Sequence, residues 1–311
     1  MRRKKLLFIF ILIIAVLSIN GCTKKHSNKT RSNSKDVHLI IDNANKNELP
    51  KNFRMANDKI NKSTSINLTG LSSMNISGSG AVSENSLKQL KEKVNSKYII
   101  DVDLRQESHL FVNGIGVSWY GKKNHANIKL TQTQVLNDEI TKLNKIKSSD
   151  KLKIDGKNKK SAIHVSTIDN IKSFENEEQL AKSLGLGYVR FAVPDHERPQ
   201  DSQVDSFVQF IKTLPNNTWL HFHCKAGVGR TTTFMAMYDM MRNAKTVSFN
   251  DIMKRQQLIG GANLLSKQDA SSASDANIRS KFLKNFYNYC SKNADDYKTK
   301  WTDWLESNDQ A

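Results

Sequence analysis

The sequence predicts an α/β fold with a central, mostly parallel sheet flanked by helices, and two observations lead there. Runs of β-forming residues alternate along the 311 residues with stretches of helical periodicity. That order is expected when parallel strands are joined by crossover helices. The chain is also apolar enough to build a core, with 38% hydrophobic and 25% charged residues and 4 Pro, which is a globular rather than a disordered composition.

The N-terminus has the layout of an export signal. Arg2-Arg3-Lys4-Lys5 precede the apolar run 6–19, which is short for a membrane span, and then Asn20-Gly21-Cys22. Ile19-Asn20-Gly21-Cys22 resembles a bacterial lipobox, in which the cysteine is diacylated and becomes the first residue. The alternative is an ordinary signal peptide or an uncleaved anchor. The expectation is a lipoprotein signal peptide over 1–21, lipid attachment at Cys22, and an exported chain anchored on the outer face of the cell membrane, or else secreted or periplasmic. Residues 22–47, rich in Lys, Asn and Ser, read as a flexible tether, and the folded domain spans 48–311.

Within that domain a Ser/Gly-rich stretch, 72–80, leads to a helix over 84–94 with Ser83 as N-cap. The run 98–104 suits a central strand. From 114 to about 165 the texture turns to Lys and Asn with weak periodicity, which fits a small inserted subdomain. A helix over 175–184 leads to a strand over 188–193. Val204, Phe207, Val208, Ile211 and Leu214 then keep the spacing of one buried helical face. Asn216-Asn217 turn the chain into an apolar strand, 219–222, followed by an apolar helix, 233–241. Ser248 or Asn250 starts a further helix ended by Gly260-Gly261, and Trp301, Trp304 and Leu305 dock the last one.

The most informative stretch is His223-Cys224-Lys225-Ala226-Gly227-Val228-Gly229-Arg230-Thr231-Thr232, at the junction of the strand 219–222 and the helix after it. A cysteine there lies over the positive end of a helix dipole, among N–H groups that no helical carbonyl satisfies. Both effects favour the thiolate, which is the nucleophilic form. The same N–H groups, from Lys225 to Gly229, form an anion cradle. Gly227 and Gly229 let the backbone curl without a Cβ clash. Arg230 can grip two oxygens of the anion with its planar fork, and Thr231 is placed to hydrogen-bond the Cys224 sulfur. An isolated cysteine would more simply be a buried core residue. Four fixed positions coinciding at one strand-to-helix junction favour the phosphate-binding reading.

Transfer of a phosphoryl group from an ester to Cys224 leaves an alkoxide, so a general acid must come from elsewhere in the chain. Asp195, in Val193-Pro194-Asp195-His196-Glu197-Arg198-Pro199, sits just past a strand end, where ligand sites gather in such sheets. Glu197 competes for the role, and a turn or N-cap function is the plainer reading of Asp195. The formal net charge of +18 points to a solvated basic surface or to polyanionic partners. The Lys and Arg are not blocked or interleaved with aromatics, which speaks against nucleic acid. With Cys22 and Cys224 assigned, only Cys290 remains of the 3 cysteines. It follows Phe286-Tyr287-Asn288-Tyr289 on a helix and reads as a core filler.

With Cys224, Arg230 and Asp195 placed, the chain resembles the cysteine phosphatases, and more narrowly the bacterial protein-tyrosine-phosphatase-like inositol polyphosphatases. The likeness extends through Asp103-Leu104-Arg105-Gln106-Glu107-Ser108-His109, Val117-Ser118-Trp119-Tyr120, Asp195-His196-x-x-Pro199, Arg255-Gln256-Gln257-x-Ile259-Gly260-Gly261 and Trp301-x-x-Trp304-Leu305. Leu110 departs from a glycine frequent in that family. The resemblance implies a phosphatase core with a small β-rich insertion and stepwise dephosphorylation of myo-inositol hexakisphosphate without metal or other cofactor. It implies Cys224 as nucleophile, Asp195 as general acid and Arg230 as phosphate clamp. Arg105, His196, Lys225 and, in the stretch 262–280, Lys267 would meet the substrate's other phosphates; the plainer readings are a salt-bridge residue for Arg105 and a solvated side chain for Lys225. A protein-tyrosine or phosphoinositide phosphatase is the alternative enzyme; a surface-tethered polyanion-binding protein is the non-enzyme alternative.

Overall fold

The computed structural model describes residues 37–60, 65–156, 164–266 and 272–308; the export signal, Cys22 and Lys267 lie outside the described residues. In chain order the elements are β1 (His38–Asn43), β2 (Arg54–Met55), β3 (Ile76–Ser79), α1 (Glu84–Val94), β4 (Ile99–Arg105), β5 (His109–Val112) and β6 (Ile115–Tyr120). They continue with α2 (Gln132–Ile146), β7 (Leu152–Asp155), β8 (His164–Ile168), β9 (Phe174–Glu175), α3 (Glu177–Ser183), β10 (Gly187–Val193) and α4 (Asp201–Thr213). The last are β11 (Trp219–His223), α5 (Gly229–Asn243), α6 (Phe249–Leu258), α7 (Ala273–Ser291) and α8 (Trp301–Ser307).

The three expected strands lie side by side in one sheet, ordered β10-β4-β11-β3-β2, parallel except for β2. Helices cover both faces, so β11 is buried at every position. On one face Phe191, Phe207, Phe222 and Phe234 pack with ring centroids 5.0 to 6.2 Å apart. On the other, Leu87 and Leu90 of α1 and Leu180 of α3 meet Ile99 and Trp219. Ser83 caps α1 as expected, accepting from Ser86 N. The carboxyl ends of β3, β4, β10 and β11 all point to one edge, where loops can converge on a ligand.

The Ser/Gly-rich stretch conceals a strand. β3 is central although its sequence is Ile-Ser-Gly-Ser, because α5 lies so close that side chains do not fit: a Cβ on Gly78 would stand 2.5 Å from Met235 Sδ and 2.7 Å from Thr231 Cγ2.

Two expected boundaries are corrected. The tether does not reach residue 47, since β1 pairs antiparallel with β6 across His38–Asn43, burying Ile40. The Lys/Asn composition around this strand masked its alternation. The inserted β subdomain over 114–165 is likewise not one contiguous block. Its four-stranded sheet runs β1-β6-β5-β9 and so begins at β1 and ends with β9. Between β6 and the β7–β8 hairpin stands α2, a 15-residue helix capped by Thr131. The β5–β6 hairpin turns on Asn113 and Gly114, both at positive φ (49° and 75°), as a tight two-residue hairpin requires.

At the C-terminus Trp301 is 1% exposed. Its ring meets Phe282, Phe286 and Tyr289 at 5.6 to 5.8 Å, and its Nε1 donates to Asp201 Oδ1 at 2.8 Å. Cys290 is a core residue as expected, and burial pushes its thiol up. Trp301→Ala is predicted to cost about 3–5 kcal/mol, by lost burial and a residual cavity, read as a lowered urea midpoint with unchanged slope. A loss below about 1 kcal/mol would show that α8 does not anchor the core.

Candidate active site

Cys224 follows β11, and α5 starts five residues later. The intervening turn is shaped by what holds its carbonyls. Lys225 O accepts from Ala81 N at 3.1 Å, Ala226 O from Asn52 Nδ2 at 2.8 Å, and Gly227 O from Arg54 NH1 at 2.8 Å. A trans peptide is planar, with C=O and the next N–H opposed. Pulling three successive carbonyls outward therefore turns the N–H groups of Ala226, Gly227 and Val228 inward. Gly227 N points at Cys224 Sγ, 3.3 Å away, and Thr231 Oγ1 donates to the same sulfur at 3.2 Å. Gly227 has φ +76°, and a Cβ there would lie 2.4 Å from Gly80 N, so no side chain is tolerated.

Arg230 is buried beneath this turn. Its NH1 and NH2 bond Glu107 Oε2 and Oε1 at 2.8 and 3.2 Å, and NH2 also meets Asp195 Oδ1 at 3.1 Å. Its Nε has no protein partner among the described residues. Burial opposes the charge on Glu107, yet Arg230 and Arg105 outweigh it and hold the carboxyl well below the usual range. The guanidinium is thus fixed from behind, with Nε left for an anion.

Asp195 comes from the loop after β10. Asn124 Nδ2 donates to its Oδ2 at 2.9 Å and His125 Nε2 to its carbonyl at 2.9 Å. The insertion therefore holds the expected general acid from the far side. His196, at φ +66°, is exposed at the cavity rim. Glu197 lines a separate groove with Arg198 and Ile278, so of the two candidates Asp195 is the one that shares a cavity with Cys224.

Over the turn lies a cavity of about 750 Å³. Cys224, Lys225, Ala226, Val228 and Gly229 form its floor, Asp195 and His196 one wall, and Lys46, Lys51 and Lys123 stand around it. Lys225 Nζ is held by Asp42 Oδ1 at 2.6 Å and Ser118 Oγ at 2.9 Å. Arg105 is not in the lining. It is buried with NH2 on Asp42 Oδ2 at 2.6 Å and Nε on Glu107 Oε1 at 3.0 Å, so here it braces the site as an ion-pair residue and does not face the cavity. Burial raises Asp42, but Arg105 and Lys225 overcome it and bring the carboxyl to about 2.

Behind the turn is a fully buried array of ionisable groups. Glu177 Oε1 is 2.7 Å from His223 Nε2, and its Oε2 is 2.5 Å from His109 Nε2. Asp101 and Asp103 lie 3.4 and 3.3 Å from the same two rings. Burial lowers His223, but Glu177 and Asp101 outweigh it and raise the imidazole to about 10. For His109, burial and Arg105 are outweighed by Asp103 and Glu139, to about 9. Asp101–Glu177–His223 and Asp103–His109–Glu177 are also the metal-type groupings among the described residues. With metal–ligand lengths of about 2.0–2.1 Å, neighbouring tetrahedral ligands stand roughly 3.3 Å apart. The 2.5 and 2.7 Å separations are shorter than that; the first is a hydrogen bond and the second an ion pair.

The sequence reading did not single out Asp42, Arg54, Glu107, Asn124, His125 or Glu177 for the site. Glu107 lies inside the quoted Asp103–His109 segment, two residues from Arg105, and its charge next to a predicted strand end was the available signal. Arg54 is buried and hydrogen-bonds Gly227 O and Thr232 Oγ1; nothing local in the sequence marks it.

Folding raises both His109 and His223 from 6.5 to about 9 and about 10. Their contribution to stability is complete below pH 6.5 and is lost as pH rises through those values. Urea unfolding is predicted to show stability falling by more than about 1 kcal/mol between about pH 7 and pH 10. A flat profile over that range would contradict the charged pairing.

Residues 102–242 match the family of PTP-like phytases, described by inositol hexakisphosphate. The tandemly repeated protein tyrosine phosphatase-like phytase of Mitsuokella multacida is 37% identical, with a TM-score of 0.83, covering 90% of this chain and 49% of its own. The PTP-like myo-inositol phosphatase of Mitsuokella multacida, in complex with myo-inositol-(1,3,4,5)-tetrakisphosphate, is also 37% identical at a TM-score of 0.83, covering 88% of this chain and 48% of its own. The chain thus spans about half the length of these two. A PTP-like phytase from Bdellovibrio bacteriovorus is 34% identical with a TM-score of 0.68, covering 87% of this chain and 95% of its own. Similar at that level over nearly the whole of the Bdellovibrio protein, and carrying the Cys224–Arg230 turn within the matched residues, the chain belongs to the protein-tyrosine-phosphatase-like phytase family.

Proposed function

We propose that the protein is a phosphoric monoester hydrolase that removes phosphates stepwise from myo-inositol hexakisphosphate and its lower homologues. The observation that carries this is the sulfur of Cys224, held by Gly227 N–H and Thr231 Oγ1 at the floor of a lysine-ringed cavity and faced by Asp195 on Arg230. Family membership and the tetrakisphosphate bound by the Mitsuokella enzyme support an inositol polyphosphate as the occupant.

In the first step the Cys224 thiolate attacks phosphorus in line. The P–O bond to inositol breaks as Asp195 gives its proton to the leaving oxygen. The inward N–H groups and Arg230 hold the three equatorial oxygens, and such positioning and charge supply most of the catalysis in phosphoryl transfer. In the second step water gives a proton to Asp195 and attacks phosphorus. The S–P bond breaks, and the Thr231 hydroxyl solvates the departing sulfur. Lys225, His196, Lys46, Lys51 and Lys123 stand where the remaining phosphates would lie. Lys267 is a further proposed contact.

The N-terminal layout supports export and anchoring through a lipid on Cys22, which would place this chemistry on the outer face of the cell membrane.

Cys224→Ser is expected to abolish turnover with the unfolding midpoint unchanged; normal turnover in that variant would remove the mechanism. Asp195→Asn is expected to slow hydrolysis of alkyl phosphates by roughly 10²–10⁴-fold. Initial rates compared on inositol hexakisphosphate, a phosphotyrosine peptide and a phosphoinositide test the substrate. The proposal expects the first to be fastest, and a clear preference for either of the others would transfer the assignment to that class.

A further inference from the structure

Glu177, the first residue of α3, stands between two sheets. One carboxylate oxygen meets His109 Nε2 at 2.5 Å, on β5 of the small sheet, and the other meets His223 Nε2 at 2.7 Å, at the end of the central β11. All three side chains are at most 1% exposed. His223 is bonded directly to the nucleophile Cys224. We propose that Glu177 is a positioning residue for the nucleophile, bridging His109 and His223 so that the small sheet fixes the start of the anion-binding turn. This rests on the assignment of Cys224 as the nucleophile.

The His109 half of the bridge is a hydrogen bond, and the His223 half is an ion pair at 2.7 Å whose atoms make no other hydrogen bond among the described residues. His109 Nδ1 faces the Glu107 carbonyl at 2.8 Å while Nε2 faces the Glu177 carboxylate. Arg190 NH2, a donor, also lies 3.3 Å from Nδ1, but the carbonyl is closer; with each ring nitrogen on its nearer acceptor the ring donates from both and is a cation. The ring of His221, two residues before His223 and 6.1 Å from it, is arranged differently. Trp219 Nε1 donates to Ser77 Oγ, whose own proton is left for His221 Nδ1. Ser79 Oγ donates to Gly80 O and so accepts from His221 Nε2. His221 thus donates once and accepts once and is neutral; burial and the neighbouring His223 also push it well below its usual value.

The other charged groups facing His223 are Asp101 and Asp103 of β4. Those facing His109 are Asp103 and Arg105 of β4, Arg190 of β10 and Glu139 of α2. Arg190 is itself taken up by Asp103 at 3.0 Å and Glu139 at 2.9 Å. Burial raises Asp101, as do its neighbours Glu177 and Asp103, while His223 lowers it. Replacing Glu177 by the neutral isostere Gln removes the charge and keeps one accepting oxygen, so one ring meets an NH2 donor in place of its acceptor. A buried cation so stripped loses its proton or moves.

Two measurements test this on the full chain. Selectively 15N-labelled histidine, read by imidazole NMR at pH 8, should show His109 and His223 with both ring nitrogens protonated. In Glu177→Gln at least one of them should titrate more than one pH unit lower. In the same variant kcat should fall roughly 10- to 100-fold, as expected when a distant change displaces a reacting group, while KM moves less than about threefold. A purely structural Glu177 would lower the unfolding midpoint without moving the histidine titrations. Either ring neutral at pH 8 in the unaltered protein overturns the proposal, as does a folded Glu177→Gln with unchanged kcat. Should the variant not fold, the spectrum of the unaltered protein decides. That spectrum needs no substrate, so a wrong substrate assignment leaves the result standing.

Discussion

The site depends on three peptide planes turned the same way after Cys224. Their carbonyls are held outward by Ala81 N, Asn52 Nδ2 and the guanidinium of Arg54, and the N–H groups on the opposite edges consequently converge on one point. Much of the surrounding fold is what this turn demands. Gly227 must be glycine because Gly80 N lies where its Cβ would be, and β3 must be narrow because α5 presses on Gly78. The short antiparallel strand β2 places Arg54, whose second NH2 also holds Thr232 at the start of α5. An anion-binding turn is thus bound on one side by the edge of the sheet and on the other by the helix it begins.

Charge is organised in layers around the turn. Arg230 is clamped from behind by Glu107, and Glu107 is shared with Arg105, which in turn holds Asp42. Asp42 then holds Lys225 at the cavity floor. This chain of alternating charges runs from the Arg230 guanidinium to the first strand of the small sheet. Leaving any one of these buried ions unpaired would be costly, so the insertion and the phosphatase core stabilise each other through the site. The same insertion supplies Asn124 and His125, which fix the loop carrying Asp195.

Sequence reasoning reached the parts whose signal is local. The Cys-x5-Arg spacing, the strand 219–222, the Ser83 cap and the Val204–Phe207–Val208 face are each written within a few residues, and each has its expected place. What it missed is long-range. β1 pairs with β6 some eighty residues on, and its isolated six residues resemble the polar chain around them. β3 has almost no apolar signature because packing, rather than propensity, makes it a strand. Arg105 carried the right motif, yet its surroundings give it ion pairs inside the protein and no face on the cavity. Glu177 has no local signal in the sequence, and only the fold reveals that it touches two histidines from different sheets.

The central claim is that phosphorus passes through the Cys224 sulfur before reaching water. The stereochemical course at phosphorus tests this most directly, using an inositol phosphate ester made chiral with oxygen isotopes. Two successive in-line displacements, first by sulfur and then by water, predict overall retention of configuration in the released phosphate. Inversion would mean that water attacks the ester in a single step, and would contradict the account.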